Sequence, residues 1–301
     1  MEINKNIKKL YLVIALNLGI VIAQVLFGFI SNSLALITDA VHNFQDVVSL
    51  IIALIAAIWM TKKPTETMTF GYLRAEAMAG FVNALFLVGA VFFIIFSGIE
   101  RLLFPEEIEG LYVIVVGFIA FVLNSLSVFI LGFHHHGHGD DDHHHHHEDL
   151  NISAAYLHLL SDAGISLAVV IGGIFIYFFH IYWIDPVISI LFSLYILKET
   201  VPILKKSYKI LMEGVPEQFN LNKIEEEILK IPEIESVHDI HVWALSSNDI
   251  YFSGHITLKD GLSFKRVDEI IQQIIEILRK EGINHITIQP ELKNFKCENV
   301  N

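Results

Sequence analysis

Residues 31–59 read SNSLALITDAVHNFQDVVSLIIALIAAIW, a largely apolar stretch that is long enough to cross a bilayer as a helix. Three ionisable side chains interrupt it at helical spacing, namely Asp39, His42 and Asp46. An isolated charge in a low-dielectric region costs several kcal/mol, so something must compensate these groups. Ionisable residues inside a membrane span indicate a functional site, and the stretch therefore predicts both a membrane fold and the place of a site within it.

The composition of the whole chain also points to a membrane protein. Of its 301 residues 53% are hydrophobic, and the mean hydropathy is +0.55. The formal net charge of −13 argues against nucleic-acid binding. Cys297 is the single cysteine, which excludes a disulfide framework and a multi-cysteine zinc site within one chain. The basic start of the chain precedes no convincing cleavage site, so we expect an uncleaved first helix.

Six segments are predicted to be transmembrane helices, and their connections differ in charge. The predicted spans are 10–30, 34–59, 73–99, 111–132, 152–179 and 184–204. Lys and Arg are concentrated before the first span, between the second and third, and after the sixth. Arg101, at the opposite end of the third span, is the one exception to this distribution. Positive charge marks the cytoplasmic side, which places both termini there. The Ile-, Lys- and Asn-rich composition indicates a bacterial source, and hence the plasma membrane.

Beyond about residue 210 the chain becomes charged, which predicts a second domain. We divide the chain into a transmembrane domain, 1–207, and a cytoplasmic domain, 208–301. The second part reads as helix, strand, strand, helix and strand, an α+β domain with helices on one face of a small sheet. Asn222 and Glu225 have capping-box spacing at the start of its first helix, and Gly282 suits the end of its second.

A histidine-rich segment, 134–149, lies between the fourth and fifth spans, hence on the cytoplasmic side. Its composition cannot form a packed core, and a solvated loop is the simplest interpretation. Its nine histidines, with the acidic residues beside them, favour weak metal binding. We expect it to be dispensable for the function of the membrane-embedded groups.

The fifth predicted span repeats the pattern of the second. His158 and Asp162 are four residues apart, as are His42 and Asp46, so each pair lies on one face of its helix. Packed together, the two helices would supply four nitrogen and oxygen ligands, which suits tetrahedral Zn²⁺. The alternative is a pair of His–Asp hydrogen bonds that hold the bundle together. Asp39, one turn before His42, is either a supporting residue on the ion pathway or a surface cap.

The number of candidate ligands and the absence of two catalytic motifs disfavour several classes of function. A site closed by four protein ligands disfavours hydrolysis, and no HExxH motif is present, so we expect no enzyme. A Gly-rich phosphate loop is also absent, which disfavours an ATP-driven pump. Uphill transport would then use an ion gradient. Protons are the natural choice, because imidazole titrates near pH 6.5 and protons compete with metal for it.

The chain resembles the cation diffusion facilitator family, of the zinc-transporting branch, over nearly its whole length. The matching motifs include SLALITDAVHNFQD, NISAAYLHLLSDAGIS, WIDPVISILFSLYILKE, VHDIHVWALSS and HITIQPE. The resemblance implies a homodimer with six helices per protomer, a metallochaperone-like cytoplasmic domain that contributes to the dimer, and proton-coupled Zn²⁺ export by alternating access. It also implies that His42, Asp46, His158 and Asp162 form the transport site.

The resemblance further suggests a metal site in the cytoplasmic domain. His241, His255 and Glu291 match positions that bind metal in relatives, and His238 does so in others. His285 would share a strand face with Glu291 if the strand is regular. Ordinary strand histidines are the alternative.

Zn²⁺ is the expected substrate, with Co²⁺ or Cd²⁺ tolerated, because imidazole suits these metals and carboxylate-only sites suit Mn²⁺ and Mg²⁺. A membrane metal sensor or receptor is the alternative function. An intramembrane metalloenzyme is a third class, disfavoured by the closed ligand set.

Overall fold

The computed structural model of the chain describes residues 18–132 and 146–292, and describes no side chain at positions 50, 53 and 127–159. Long apolar helices come first. In chain order they are α1 Leu18–Ile30, α2 Leu34–Met60, α3 Ala75–Leu103, α4 Gly110–Gly132, α5 His146–Phe179 and α6 Ile184–Leu211. A smaller α+β part follows. Its elements are α7 Leu221–Leu229, β1 Ile234–Ala244, β2 Ile250–Leu258, α8 Phe264–Lys280 and β3 His285–Leu292.

The predicted fold class is confirmed. Among the described residues four helices are long and apolar enough to span a membrane: α2, α3, Leu160–Phe179 of α5, and α6. The described parts of α1 and α4 add shorter apolar helices, Leu18–Ile30 and Gly110–Leu126. The sixth helix runs seven residues beyond the predicted end at 204, although Pro202 lies inside it.

The described residues form two compact units. The first contains Leu85–Val201 and the described residues before Ile51, and the second contains Ile51–Ala84 and the described residues after Val201. In the first unit α4 and α5 pack closely through glycines. A Cβ atom at Gly110 would lie 2.7 Å from the backbone nitrogen of Tyr177, and one at Gly173 would lie 3.1 Å from that of Ile114. Small residues let helix backbones approach, and this contact fixes α5 against α4.

The second unit contains a three-stranded sheet in the order β1-β2-β3. Strands β1 and β2 are antiparallel, and β2 and β3 are parallel. Phe252 and Ile256 of β2 point into a core shared with Ile270 and Ile274 of α8. Because strand residues alternate, the odd-numbered residues of β2, including His255, lie on the opposite face. The predicted helix-strand-strand-helix-strand order with helices on one face is therefore confirmed.

The helix ends in this domain partly differ from the prediction. Helix α7 starts at Leu221, and its cap is Asn220, whose side chain accepts hydrogen bonds from the backbone of Asn222 and Lys223. The predicted capping box was placed two residues too late. Gly282 follows α8 with a φ of +93°, the left-handed conformation expected of a glycine after a helix.

Candidate metal centres

The first candidate centre lies within the first unit and joins α2 to α5. Nε2 of His42 is 3.0 Å from Oδ1 of Asp162 and 4.0 Å from Oδ2 of Asp46. One ligand atom from each of the three residues lies within 4.8 Å of the others. His42 and Asp162 are buried and Asp46 is half-buried. The four-residue spacing puts His42 and Asp46 on one face of α2, and helix packing adds Asp162.

His158 is the fourth predicted ligand. Its backbone lies in α5, one turn before Asp162, but its side chain falls outside the described residues. Three of the four predicted ligands are thus brought together. The contact of His42 with Asp162 also satisfies the hydrogen bond that the alternative interpretation predicts. A structural hydrogen bond to His42 would need only one carboxylate, but two lie beside its imidazole. Nitrogen and oxygen donors of this kind suit Zn²⁺.

Asp39 belongs to a buried polar chain beside this centre. Its Oδ2 accepts hydrogen bonds from Nε2 of Gln24 at 2.5 Å and from Oγ of Ser166 at 3.3 Å. Nδ2 of Asn124 donates to Ser166 at 3.1 Å, and Nδ2 of Asn43 donates to Oε1 of Gln24 at 3.1 Å. The chain therefore connects α1, α2, α4 and α5 by side-chain hydrogen bonds.

Asp39 is only 1% exposed, and its Oδ1 accepts no hydrogen bond from any residue that the structure describes. Its two partners, Gln24 and Ser166, were missed by sequence reasoning. Gln24 is the single polar residue of the described part of α1, and Ser166 lies one turn after Asp162 in α5. The signal that could have found them is the high cost of burying an unpaired polar group. Their position places Asp39 between the two helices that carry the candidate ligands.

The second candidate centre lies in the cytoplasmic sheet, with one residue from each strand. Nε2 of His238 is 3.1 Å from Oε2 of Glu291, and Nδ1 of His255 is 3.0 Å from Oε1 of Glu291. Glu291 is buried and the two histidines are partly buried. Gln289 also donates a hydrogen bond to Oε1 of Glu291. Two imidazoles and one carboxylate are donors of the kind that bind zinc in proteins.

A β-bulge in β1 places both of its histidines on this face. His238 pairs with His255 and His241 pairs with Ser253, with a register shift between the two pairs. Residues three apart in a regular strand would point to opposite faces, but the bulge adds one residue and restores a common face. Asp239 lies in the bulge with a φ of +52°, a conformation that Asp tolerates better than most residues.

Asp239 is a residue that sequence reasoning missed. Its Oδ1 lies 3.0 Å from Nε2 of His241, and its Oδ2 lies 3.5 Å from Nε2 of His255. His241 is therefore not part of the group of His238, His255 and Glu291. It is connected to His255 through Asp239, which contacts both histidines. No periodic signal in the sequence marks a bulge at this position.

His285 lies away from this group. It does share a face of β3 with Glu291, as predicted, but it pairs with Tyr251 while Glu291 pairs with Thr257. Six residues of strand correspond to about 20 Å. The ring of His285 instead lies against that of Tyr251, tilted by 40° with 4.9 Å between centroids, and meets the ring of Phe70 edge-on at 6.4 Å.

The same unit contains a cavity of about 900 Å³ with aromatic walls. Trp59, Phe70, Tyr72 and Trp243 line it. Burial raises the pKa of the nearby Tyr251 phenol, and the charge of Asp249 adds to the rise.

Two charged residues at the start of α3 have partners in the same unit. Arg74 forms an ion pair with Glu213. Glu76 accepts hydrogen bonds from the backbone nitrogen of Ser247 at 3.2 Å and from its hydroxyl at 2.6 Å. These contacts tie the connection between α2 and α3 to the end of α6 and to the β1–β2 loop.

Comparison with known proteins identifies two family models along the chain. The cation efflux transmembrane domain matches residues 10–212, and the cation efflux protein cytoplasmic domain matches residues 216–293. The metal cation efflux system protein CzcD of Cupriavidus metallidurans is 35% identical over 289 residues, which cover 95% of this chain and 87% of that protein. The cadmium, cobalt and zinc/H(+)-K(+) antiporter of Bacillus subtilis is 33% identical over 281 residues, with 93% and 88% covered.

Two further similarities were found. The zinc transporter ZitB of Escherichia coli is 32% identical over 290 residues, covering 96% of this chain and 88% of that protein. A solved structure of the metal-bound C-terminal domain of the CzcD transporter is 30% identical. It covers 25% of this chain and 100% of that one, with a TM-score of 0.21.

Proposed function

Because the chain belongs to the cation efflux family, we propose that it is a secondary transporter that exports Zn²⁺ from the cytoplasm in exchange for H⁺. It is a multi-pass membrane protein whose transmembrane family model is named for cation efflux, and we infer that it is a transporter and not an enzyme. We place it in a bacterial plasma membrane with both termini in the cytoplasm, on the distribution of its positive charges.

One observation carries the proposal: His42 and Asp46 of α2 meet Asp162 of α5 inside the membrane-spanning helices. A divalent cation would neutralise both carboxylates at once, which would offset the cost of burying them. His158, one turn before Asp162, would complete a tetrahedral set of two imidazoles and two carboxylates.

The same ligand set supports proton exchange. Metal binding requires deprotonated carboxylates and neutral imidazoles, so protons and metal compete for the same atoms. If the site faces each side of the membrane in turn, protons entering from outside would displace the metal, and metal from the cytoplasm would displace the protons. Alternating access of this kind would couple Zn²⁺ export to the proton gradient without a nucleotide.

The ligand types favour Zn²⁺ over harder cations, with Co²⁺ and Cd²⁺ as secondary substrates. Relatives named for cadmium, cobalt and zinc support this range. The histidine-rich segment 134–149 would hold metal only loosely on the cytoplasmic side.

We assign the cytoplasmic domain, 208–301, two roles. It would join two copies of the chain as a homodimer, in line with the cytoplasmic family model that it matches. The group of His238, His255 and Glu291 would bind Zn²⁺ as a regulatory ligand. His241 would contribute through Asp239, and His285 would serve the aromatic packing of the sheet.

The test is reconstitution of the purified protein in liposomes with a pH gradient, with zinc and protons followed together. We expect coupled counterflow that is abolished in Asp46→Ala and Asp162→Ala. Asp260→Ala, at an exposed turn of the cytoplasmic domain, is the matched control and should transport normally. Zinc binding without flux would support the sensor or receptor instead, and zinc flux without proton movement would reject the antiporter.

A further inference from the structure

The turn between α1 and α2 is held from three directions. Asn32 lies in it with a φ of +57°. Arg101, at the end of α3, donates hydrogen bonds to the backbone oxygen of Asn32 at 2.5 Å and to its Oδ1 at 2.6 Å. Nδ2 of Asn32 donates to Glu106 of the α3–α4 connection at 2.8 Å. Arg101, the exception to the distribution of positive charge, therefore stabilises this turn.

The third contact comes from Asp185 in the first turn of α6. Its Oδ1 accepts hydrogen bonds from the hydroxyl of Ser33 at 2.5 Å and from the backbone nitrogen of Ala35 at 3.2 Å. Its Oδ2 accepts one from the backbone nitrogen of Leu34 at 2.7 Å. The Ser33 hydroxyl in turn accepts from the nitrogen of Leu36 at 3.2 Å. Asp185 is 1% exposed and Ser33 is fully buried.

These contacts form a helix cap supplied by a different helix. The first N–H groups of a helix have no partner within it, and a negative charge at that end is favoured by the helix dipole. A cap usually comes from the residue before the helix, and Ser33 does fill that place for Leu36. Asp185 serves the two preceding N–H groups, of Leu34 and Ala35. An acidic residue in the first turn of α6 could instead cap its own helix, but these three hydrogen bonds all come from residues 33–35.

The cap acts on the candidate transport site through α2. His42 lies eight residues after Leu34, and Asp46 twelve, which correspond to about 12 and 18 Å along the helix axis. A helix is stiff over this length, so an axial shift at its first turn moves both side chains by a similar amount. Asp162 has a support of its own, because α5 packs closely on α4, in addition to the hydrogen bond that Ser166 of α5 donates to Asp39 of α2. Metal–ligand distances tolerate only a few tenths of an ångström, so the height of α2 matters for binding.

We propose that Asp185 is a positioning residue for zinc transport: from α6 it caps α2 and so sets the height of His42 and Asp46 relative to Asp162. The inference rests on the proposed function, since it assigns a role toward the same site. It adds α6 to the elements that define the site, although α6 provides no ligand among the residues described. Removing the charge of Asp185 should weaken zinc binding while leaving the ligands themselves in place.

The experiment measures KM and kcat for Zn²⁺ counterflow in liposomes, together with the thermal unfolding of the metal-free protein. Asp185→Asn keeps the size of the side chain and removes its charge, and it should raise KM about tenfold with kcat within about twofold. Ser33→Ala removes one donor of the cap and should raise KM by about two- to fivefold, as the loss of one hydrogen bond predicts. Ser189→Ala is the matched control, since its buried hydroxyl donates to the backbone oxygen of Asp185 in the same helix.

The outcomes separate this inference from the proposed function. If the wild type and Ser189→Ala transport zinc but Asp185→Asn has an unchanged KM, the positioning role is wrong and the transporter stands. Loss of thermal stability with an unchanged KM would likewise reject the positioning role and would show that Asp185 only stabilises the fold. If Asp185→Asn does not fold, Ser33→Ala decides: a KM equal to that of the wild type overturns the proposal. Absence of zinc flux in the wild type would reject the proposed function itself.

Discussion

Nε2 of His42 lies 3.0 Å from Oδ1 of Asp162, although 120 positions separate the two residues in the chain. Both side chains are buried, and they belong to helices whose apolar sequences would otherwise fit lipid. The contact places one ionisable residue of α2 directly against one of α5.

Replacing the imidazole at the meeting point should change metal selectivity. In His42→Asp the site would hold more carboxylate and less nitrogen, which suits harder cations. We expect Mn²⁺ transport to appear and the preference for Zn²⁺ over Mn²⁺ to fall at least tenfold, measured by competitive uptake into liposomes. His180→Asp, in the connection between α5 and α6, is the control and should keep the wild-type preference. An unchanged preference in His42→Asp would show that His42 does not contact the metal.

Removing the charge of Asp39 should weaken the site without destroying it. Asp39→Asn can still accept the hydrogen bonds of Gln24 and Ser166, so the polar chain between helices should remain. We expect the KM for Zn²⁺ to rise about tenfold, as is typical for groups that surround metal ligands. Asp46→Ala should lose transport entirely. A wild-type KM in Asp39→Asn would limit Asp39 to holding the helices together.

The cytoplasmic group can be separated from the other strand histidines by two matched variants. In a chain without residues 134–149, His255→Ala should lose one class of Zn²⁺ site in calorimetric titration. His285→Ala, on the same sheet but about 20 Å along its strand from Glu291, should keep that class. Binding should also weaken as pH falls, because metal requires neutral imidazoles. Loss of the site in His285→Ala and not in His255→Ala would show that another set of residues binds metal.

Deletion of the histidine-rich segment should leave transport largely intact. The segment cannot form a packed core, and the candidate ligands in α2 and α5 do not depend on it. We expect the deletion of 134–149 to keep kcat within about twofold in the liposome assay. A replacement of the same length made of Gly and Ser serves as the control for the length of the connection. Complete loss of activity in both variants would make the segment part of the transport path.

Truncation in the cytoplasmic core should destabilise that domain. Ile274 of α8 is fully buried in the core with Phe252 and Ile256. Ile274→Ala should lower the free energy of unfolding by about 2–5 kcal/mol, because it removes buried carbon atoms and leaves a cavity. Hydrogen exchange of the α8 amides, followed by mass spectrometry, measures the change. Phe264→Ala, at a side chain that is 90% exposed, should cost less than about 0.5 kcal/mol.

The order of helices and strands could be predicted well because its signals are local. Runs of apolar residues identified the long apolar helices, and alternation within short runs identified the strands. Helix boundaries were less accurate. Pro202 did not end α6, which continues to Leu211, and Asn220 rather than Asn222 caps α7. Where a helix begins or ends depends on the packing of its surroundings as well as on the single residues near its boundary, so those residues alone do not locate the boundary.

The candidate sites could likewise be predicted only in part from the sequence. The spacing of His42 and Asp46 was readable because the helical repeat places them on one face. The grouping in the cytoplasmic sheet was not, since it depends on a bulge at Asp239 that shifts the register of β1. His285 was included by strand alternation alone, which identifies a face but gives no position along the strand.

By itself, the sequence determined that this protein is built from apolar helices and a small α+β domain, and that α2 and α5 each carry a His and an Asp four residues apart. These properties follow from periodicities of 3.6 and 2 residues, which local geometry imposes on any chain. Only the tertiary structure decided which side chains meet. The approach of Asp162 to His42, and the capping of α2 by Asp185, join residues more than one hundred positions apart. Such contacts arise from the packing of helices as whole bodies, and no local repeat encodes them.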